Sequence, residues 1–272
     1  MPKIDHNAPL QCLVAVRGHP FDRTAFDAVF QAMDGIAATM VDQPAAALLM
    51  NPAAMRGFDA LVLYDMPGLD FDTGGPPAYR DPDPALREGF RALLEAGKGV
   101  VALHHALAGW PTWSEYHDWL GGQFLYRPGP LRGQDWPDSG YRHAVTHEVT
   151  VTPGHPVTAG LPPRFTLTDE LYLCPPPAEG SVPLLQSAAR FADDAFWSAE
   201  LAVSGQMNSN AGWHHPAGSG VIGWARQVLA SRLVYLQPGD GPSAYDNPHY
   251  RRLVENAIRW VAEPRAIAAA AG

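Results

Sequence analysis

The segment GKGVVALHHALAGW, residues 97–110, joins a helix end, a short apolar run and a pair of histidines. Gly97 and Gly99 are typical of the point where a helix stops. The apolar run at 99–103 predicts a buried strand, because it is too short for a helix and ends at a polar turn. A helix followed by a strand that is apolar throughout indicates a parallel sheet with helices on both faces.

The residues before this segment repeat the alternation of strand and helix. Strands are predicted at 11–16, 37–41, 58–64 and 99–103. The helices between them carry apolar residues at i, i+3, i+4 and i+7, as in the stripe of Phe26, Val29, Phe30 and Met33. Right-handed crossovers then predict a doubly wound, flavodoxin-like α/β fold with a mostly parallel sheet.

The second half of the chain has short predicted strands separated by long loops rich in proline and tryptophan. These strands are predicted at 148–152, 171–174, 182–186, 221–224 and 233–237. A last helix begins after Asn247, a fitting N-cap residue, with Pro248 in its first turn. We find no repeat or linker, so a single domain is expected over residues 1–263, followed by a disordered tail at 264–272.

The composition excludes several classes of protein. The 272 residues include 19 basic and 28 acidic side chains, a net charge of −9, which argues against nucleic-acid and anionic-membrane partners. No apolar stretch reaches the ~18 residues of a membrane span, and the first residues carry charges where a signal peptide is apolar. A cytoplasmic protein is therefore expected. The two cysteines, Cys12 and Cys174, predict free thiols.

Three predicted strands end in polar residues, and ligands of such sheets bind at the carboxyl ends of the strands. His19 follows the first strand, Asp65 ends the third, and His104 and His105 follow the fourth. His104 is interpreted as a general acid/base or a metal ligand, with a backbone-bonded loop histidine as the alternative. The alternatives for His19 and Asp65 are turn residues.

A carboxylate in TLTDELYLC is the next candidate. Glu170 is flanked by apolar residues, so a partner for its charge is expected. A divalent metal site built from His19, His104 or His105 and Glu170 is a second hypothesis, without a local HxH, HExxH or cysteine motif. There is no Walker A loop, no GxGxxG after the first strand and no GxSxG, and no cysteine follows the fourth strand, so nucleotide binding and Ser or Cys nucleophiles have no support.

Four segments together resemble the ThuA-like (trehalose utilization) family over residues 13–263. They are 97–110, WSEYHDWLGGQF at 113–124, EVTVTPGHPVTAGLPPRFTLTDELYL at 148–173, and LVYLQPGDGPSAYDNPHYRRLVENAIRWVAE at 233–263. The resemblance implies a class I glutamine amidotransferase-like fold, with His104 where that fold has its cysteine, and hence no glutaminase activity. Two departures stand out: Gly239-Asp240 replaces Gly-His, and LASR at 229–232 replaces Gly-x-Gly-Arg.

The resemblance links the chain to the utilisation of disaccharides and their oxidised keto forms. A sugar-directed hydrolase or isomerase is expected, with a small sugar as its partner; a divalent metal and a homo-oligomer are both compatible with it. The expected catalytic residues are His104, Glu170 and Asp240. The expected substrate-binding residues are His19, Asp65, His105 and Tyr245. Trp110, Trp113, Trp197 and Trp213 are candidates for sugar-stacking faces, with core packing as the alternative and commoner role of tryptophan. The alternatives are a non-catalytic binding protein and a metal-dependent hydrolase.

Overall fold

The structure is a computed structural model that describes residues 5–71 and 76–263. The predicted tail at 264–272 lies outside the described residues. The strands are β1 (Leu10–Arg17), β2 (Ile36–Asp42), β3 (Ala60–Asp65), β4 (Leu69–Asp70), β5 (Ala78–Tyr79), β6 (Gly99–Leu103), β7 (Gly129–Leu131), β8 (Gln134–Trp136), β9 (Gly140–Val151), β10 (Arg164–Leu173), β11 (Val182–Ser187), β12 (Trp197–Ser198), β13 (Val221–Val228) and β14 (Ser231–Leu236).

The α-helices are mostly short and lie between these strands. They are α1 (Arg23–Gln31), α2 (Ala45–Leu49), α3 (Pro84–Glu95), α4 (Ser114–Leu120), α5 (Ala199–Val203), α6 (Pro242–Tyr245) and α7 (Pro248–Ala262). Asn247 caps α7 by accepting hydrogen bonds from the backbone of His249 and Tyr250, as its N-cap position predicts. The turn after β6 is a 3₁₀ helix, His104–Ala108.

One large sheet organises the molecule, in the order β10-β9-β11-β13-β14-β6-β3-β1-β2. The strands from β14 to β2 are parallel neighbours, which is the flavodoxin-like core that the sequence predicts. The predicted α/β fold with a large central sheet is therefore confirmed. The short strands of the second half continue the same sheet in antiparallel fashion from β13 to β10.

Helices cover both faces of the parallel core. On one face α1 and α7 pack against side chains such as Val62, Val101 and Val234. On the other face α3 and α4 pack against Leu61 and Val100. Alternate residues of each strand thus enter opposite cores, which explains why these strands are apolar throughout. Each large apolar side chain that is fully buried contributes about 1.5–3 kcal/mol.

Two antiparallel strands are longer than the sequence predicts. β9 begins at residue 140 instead of 148, and β10 begins at residue 164 instead of 171. Their outer positions are polar and exposed, as at Thr166 and Glu148, so only the buried ends read as apolar runs. The consequence for function is that Asp169 and Glu170 lie within a strand, with side chains on opposite faces of the sheet.

A β-bulge interrupts the pairing of β9 with β10. Asp169 pairs with Val145 and Leu171 with Arg142, so His143 and Ala144 together oppose Glu170. Ala144 has a φ of 53°, in the left-handed region that such bulges use. The regular register on the Gly140 side already sets His143 opposite Glu170, so Ala144 is the extra residue.

None of the helices in the described ranges is long and apolar enough to cross a bilayer.

Candidate functional site

His104 occupies a strained turn at the end of β6. Its φ is 44°, a conformation that residues other than glycine rarely adopt, and its side chain is fully buried. The ring nitrogen Nδ1 lies 2.6 Å from the backbone oxygen of Gln237, in the loop after β14. A carbonyl oxygen only accepts, so Nδ1 carries a hydrogen and Nε2 is left to face the other side.

Three oxygen atoms surround Nε2 of His104. They are Oε2 of Glu170 at 3.0 Å, Oδ1 of Asp240 at 3.4 Å and the hydroxyl of Tyr172 at 2.8 Å. Glu170 and Tyr172 are two residues apart on β10 and therefore share a face. Asp240 comes from the loop after β14, so three separate elements meet at this nitrogen. We call His104, Glu170 and Asp240 the central cluster.

His143 extends the central cluster towards solvent. Its Nδ1 lies 2.9 Å from Oε1 of Glu170, and its side chain is 48% exposed. The carboxylate of Glu170 is thus held between two imidazoles, one sealed inside the protein and one open to solvent. The pairing of β9 with β10 brings the two residues together: Tyr141 lies opposite Tyr172, and two positions further along β9 His143 lies opposite Glu170.

Asp169 holds the loop that carries Asp240. Its carboxylate accepts hydrogen bonds from the backbone nitrogens of Gly239, at 2.6 Å, and Asp240, at 3.2 Å. The hydroxyl of Tyr245 supports the same loop by donating to the backbone oxygen of Asp240 at 3.1 Å. Burial raises the pKa of Asp169 to about 6, against the effect of nearby His104 and of the hydrogen bond from the backbone of Gly239.

The charges of the central cluster are strongly coupled. Burial opposes a charge on His104, but hydrogen bonds and the charges of Asp240 and Glu170 outweigh it and hold its pKa well above the usual value. Burial would raise the pKa of Glu170, yet its imidazole partners lower it. For Asp240 the same balance, with His104 as the main partner, lowers the pKa to about 2. The hydrogen bond to Glu170 raises the pKa of His143.

A cavity of about 590 Å³ opens beside the central cluster. Its wall includes Glu170 and His143, together with His19 on the loop after β1. The rest of the wall is largely aromatic and apolar, with Phe71, Phe124, Tyr126, Tyr141, Tyr172 and Met207. Such a mixture of apolar walls and a few convergent polar groups is typical of small-molecule sites. A larger cavity, about 890 Å³, is lined by Arg17, Gln43 and Arg80 among others and contains no member of the central cluster.

The structure brings His104, Glu170 and Asp240 together and places His19 at the cavity. His105 is buried behind His19, with the two rings stacked 4.8 Å apart, and its Nε2 donates to the backbone oxygen of Tyr64 at 3.2 Å. Tyr245 is also buried, so His105 and Tyr245 support the site from behind and lie away from the cavity wall.

Asp65 lies away from the central cluster. Its neighbour Tyr64 faces the core that contains α1 and α7, so Asp65 faces the opposite side of the sheet. There its carboxylate accepts a hydrogen bond from the side chain of Gln43 at 2.6 Å. Among the described residues, none of Trp110, Trp113, Trp197 and Trp213 lines the cavity; the aromatic wall is built from phenylalanine and tyrosine instead.

Three residues of the site were not predicted from the sequence: His143, Asp169 and Tyr172. Tyr172 has a signal in retrospect, since it lies two residues after Glu170 and so on the same face of the strand. Asp169 stands beside Glu170 in the same carboxylate pair, but it acts on a loop that is distant in sequence. His143 has no local signal, because it meets Glu170 only through the pairing of β9 with β10, which the residue pattern does not give.

The comparisons with known proteins agree with this architecture. A family model described as trehalose utilisation matches residues 16–261. The chain belongs to the ThuA family. A ThuA-like protein from Bacteroides uniformis has a similar structure, with a TM-score of 0.62 and 18% identity over 96% of this chain and 95% of the other. A ThuA-like protein from Parabacteroides merdae also gives 0.62, with 13% identity over 93% and 90%.

The ThuA fold extends to amidotransferase-like proteins. PurLQS from Thermotoga maritima has a TM-score of 0.50 and 9% identity, covering 92% of this chain and 98% of the other. Identities this low establish a shared fold and nothing more. No curated protein matches the ThuA chain.

Proposed function

We propose that this ThuA-family protein is an enzyme that acts on a sugar or an oxidised keto sugar in the cavity beside Glu170. The observation that carries the proposal is the carboxylate of Glu170, which lies on the cavity wall between two imidazoles. Aromatic side chains with polar edges, such as Tyr126 and Tyr141, suit the apolar faces and hydroxyls of a sugar. The family description, trehalose utilisation, points to the same substrate class.

In this proposal the groups nearest the substrate are Glu170 and His143, which line the cavity, with Asp240 beside Glu170 in the central cluster. Glu170 faces the cavity, and the side chain of Asp240 is 28% exposed. His104 is sealed behind them and holds both carboxylates in place. A carboxylate held by a solvent-exposed imidazole can move a proton between substrate and solvent, which is the step that hydrolysis and isomerisation of a sugar share. His19 is proposed to contact the substrate on the opposite wall.

We also propose that the protein lacks glutaminase activity. The position at which the amidotransferase-like fold would carry its cysteine is occupied by His104. Cys12 is buried in β1 and Cys174 follows β10, and the cavity wall contains neither thiol. Acyl transfer through a cysteine therefore has no nucleophile at this site.

Turnover of a panel of disaccharides, monosaccharides and their keto forms, followed by chromatography, tests the proposal. Glu170→Gln keeps the shape of the side chain and removes its charge, so we expect it to lower turnover by at least about a hundredfold, as for loss of a general acid/base. Glu148→Gln on the outer face of β9 is the matched control and is expected to keep full activity.

The alternative is a sugar-binding protein without catalysis. The observation that favours it is Asp240, since the family pattern has a histidine at this position and the cluster here holds a carboxylate instead. A thermal-shift screen of the same sugars separates the two functions. Stabilisation that is lost in Glu170→Gln, without turnover of any sugar by the wild type, would establish the binding protein and contradict the enzyme.

A further inference from the structure

We propose that Nε2 of His104 and the carboxylates of Glu170 and Asp240 form a binding site for one divalent transition-metal ion. This inference deepens the proposed function, because a bound ion would present open positions to the oxygen atoms of a sugar. The ion itself can be tested without any sugar. Among the described residues, this is the group of histidine, cysteine and carboxylate side chains whose donor atoms converge, all within 4.8 Å of one another.

The distances between the donor atoms match the spacing of ligands around one ion. Zinc binds nitrogen and oxygen at about 2.1 Å, so two of its ligands lie about 3.0 Å apart at a right angle and about 3.4 Å apart at the tetrahedral angle. Nε2 of His104 is 3.0 Å from Oε2 of Glu170 and 3.4 Å from Oδ1 of Asp240. These two distances fit an ion shared by His104 with either carboxylate, and all three donor atoms lie within 4.8 Å of one another.

The hydrogen bonds around the donors suit an ion that takes the place of the proton on Nε2 of His104. The Nδ1 hydrogen of His104 is donated to the backbone of Gln237, the contact that usually orients a metal-binding histidine. Nε2 then faces two carboxylates and the hydroxyl of Tyr172. A single N–H can point at one of these oxygens, whereas a cation attracts both carboxylates at once.

The partners of the two carboxylates have the arrangement expected of ligand supports. Oε1 of Glu170, the oxygen that does not face His104, is bound by His143. The backbone of Asp240 is held by Asp169. Both ligands are thus fixed by contacts that leave the inward oxygens available, and such supports are a regular feature of metal sites.

The donor set also indicates the class of ion. One imidazole with two carboxylates suits Zn²⁺ or Mn²⁺, and the absence of a thiol from the set argues against soft ions such as Cu⁺. The exposed edge of Asp240 and the position of Glu170 on the cavity wall leave one side of the site open. An ion there would polarise a sugar carbonyl or activate a bound water.

Titration calorimetry with ZnCl₂ and with MnCl₂, on full-length protein freed of metal by a chelator, tests the site. We expect one ion per chain for at least one of the two metals. Glu170→Gln and Asp240→Asn keep the side-chain shape and are expected to weaken binding at least about tenfold each, since metal affinity depends on ligand charge. Glu148→Gln is the matched control and should bind as the wild type does. Circular dichroism confirms that each variant is folded.

Two results would overturn the metal site: a folded wild type that binds neither ion, or binding that is equally tight in Glu170→Gln and Asp240→Asn. Stoichiometric binding that both variants weaken, with no turnover of any sugar, would support the metal site and contradict the enzyme. Turnover of a sugar by a protein that binds neither ion would support the enzyme and contradict the metal site.

Discussion

The sequence predicts that Asp65 lies at the end of a strand, but it does not predict which face of the sheet the side chain occupies. It closes β3 at 2% exposure, and its polar partner is the side-chain amide of Gln43. Burial raises its pKa from 3.8 to about 6, although the hydrogen bond from Gln43 acts in the other direction. The folded protein therefore binds a proton at Asp65 more tightly than the unfolded chain does.

The stability of the protein should depend on this proton. Since the pKa is higher in the folded state, ionisation of Asp65 costs stability as the pH rises from about 4 to about 6, and stability is recovered when the pH falls. Asp65→Asn cannot ionise, so its unfolding free energy relative to wild type should rise by about 3 kcal/mol across that interval, at 1.36 kcal/mol per pKa unit. Urea unfolding of both proteins at pH 4, 5, 6 and 7 measures this difference. A difference that does not change with pH would contradict the prediction.

The polar residues at the ends of the predicted strands identify only part of the site. His104 and His19 follow predicted strands, and the edge of a parallel sheet brings such residues near one another. The same reasoning placed Asp65 there, but one residue of shift along a strand turns a side chain to the opposite face. His143 was not predictable, because its place beside Glu170 depends on the pairing of two strands.

At the scale of elements, the contact of α7 with β6 depends on a missing side chain. A Cβ atom added to Gly99 would lie 2.2 Å from the backbone oxygen of Val261, which is far inside van der Waals contact. Glycine is therefore required at position 99, where α7 crosses the start of β6. From the sequence, Gly99 was interpreted as the end of a helix and the start of a strand. The packing constraint comes from Val261 in the last helix, which is distant in sequence.

Gly99→Ala should push α7 away from the sheet. We expect it to lower the free energy of unfolding by about 1–3 kcal/mol, the usual range for overpacking of a core. Gly57→Ala is the matched control, since a Cβ atom at Gly57 meets nothing within 4 Å. Thermal unfolding of both variants compares the two. Equal melting temperatures for the pair would show that the helix accommodates the extra methyl group without cost.

The full lengths of β9 and β10 could not be predicted from the sequence. The positions exposed on these strands include threonine, arginine, glutamate and histidine, which are also common in loops. Only their buried ends therefore read as strands in the sequence. The final helix, α7, was predicted closely because its cap, its first-turn proline and its apolar stripe agree with one another.

At the scale of the whole molecule, the two halves of the sheet are joined along their edges. β14 of the parallel core pairs with β13 of the antiparallel extension over six residue pairs. One apolar core runs through both halves, with Val62 and Val101 from the first and Leu167 and Leu185 from the second. This continuity supports the expectation of a single domain over residues 1–263.

The described part of the chain should therefore unfold in one step. Tryptophan fluorescence and far-ultraviolet circular dichroism should give coincident urea transitions, since buried tryptophans lie in both halves, at Trp113 and Trp213. Two separated transitions, or different midpoints for the two probes, would indicate that the antiparallel extension folds as a unit of its own.

The residues around Nε2 of His104 are far apart in the sequence, and this separation also determines when the site forms during folding. Glu170 is 66 positions further along the chain, and Asp240 is further still. Contacts of this separation form late, because long segments must first be closed into loops. The transition state for folding therefore lacks the complete site, and a ligand that binds the completed site does not stabilise this state. It should lengthen the lifetime of the native state by slowing its opening, and leave the rate of refolding unchanged.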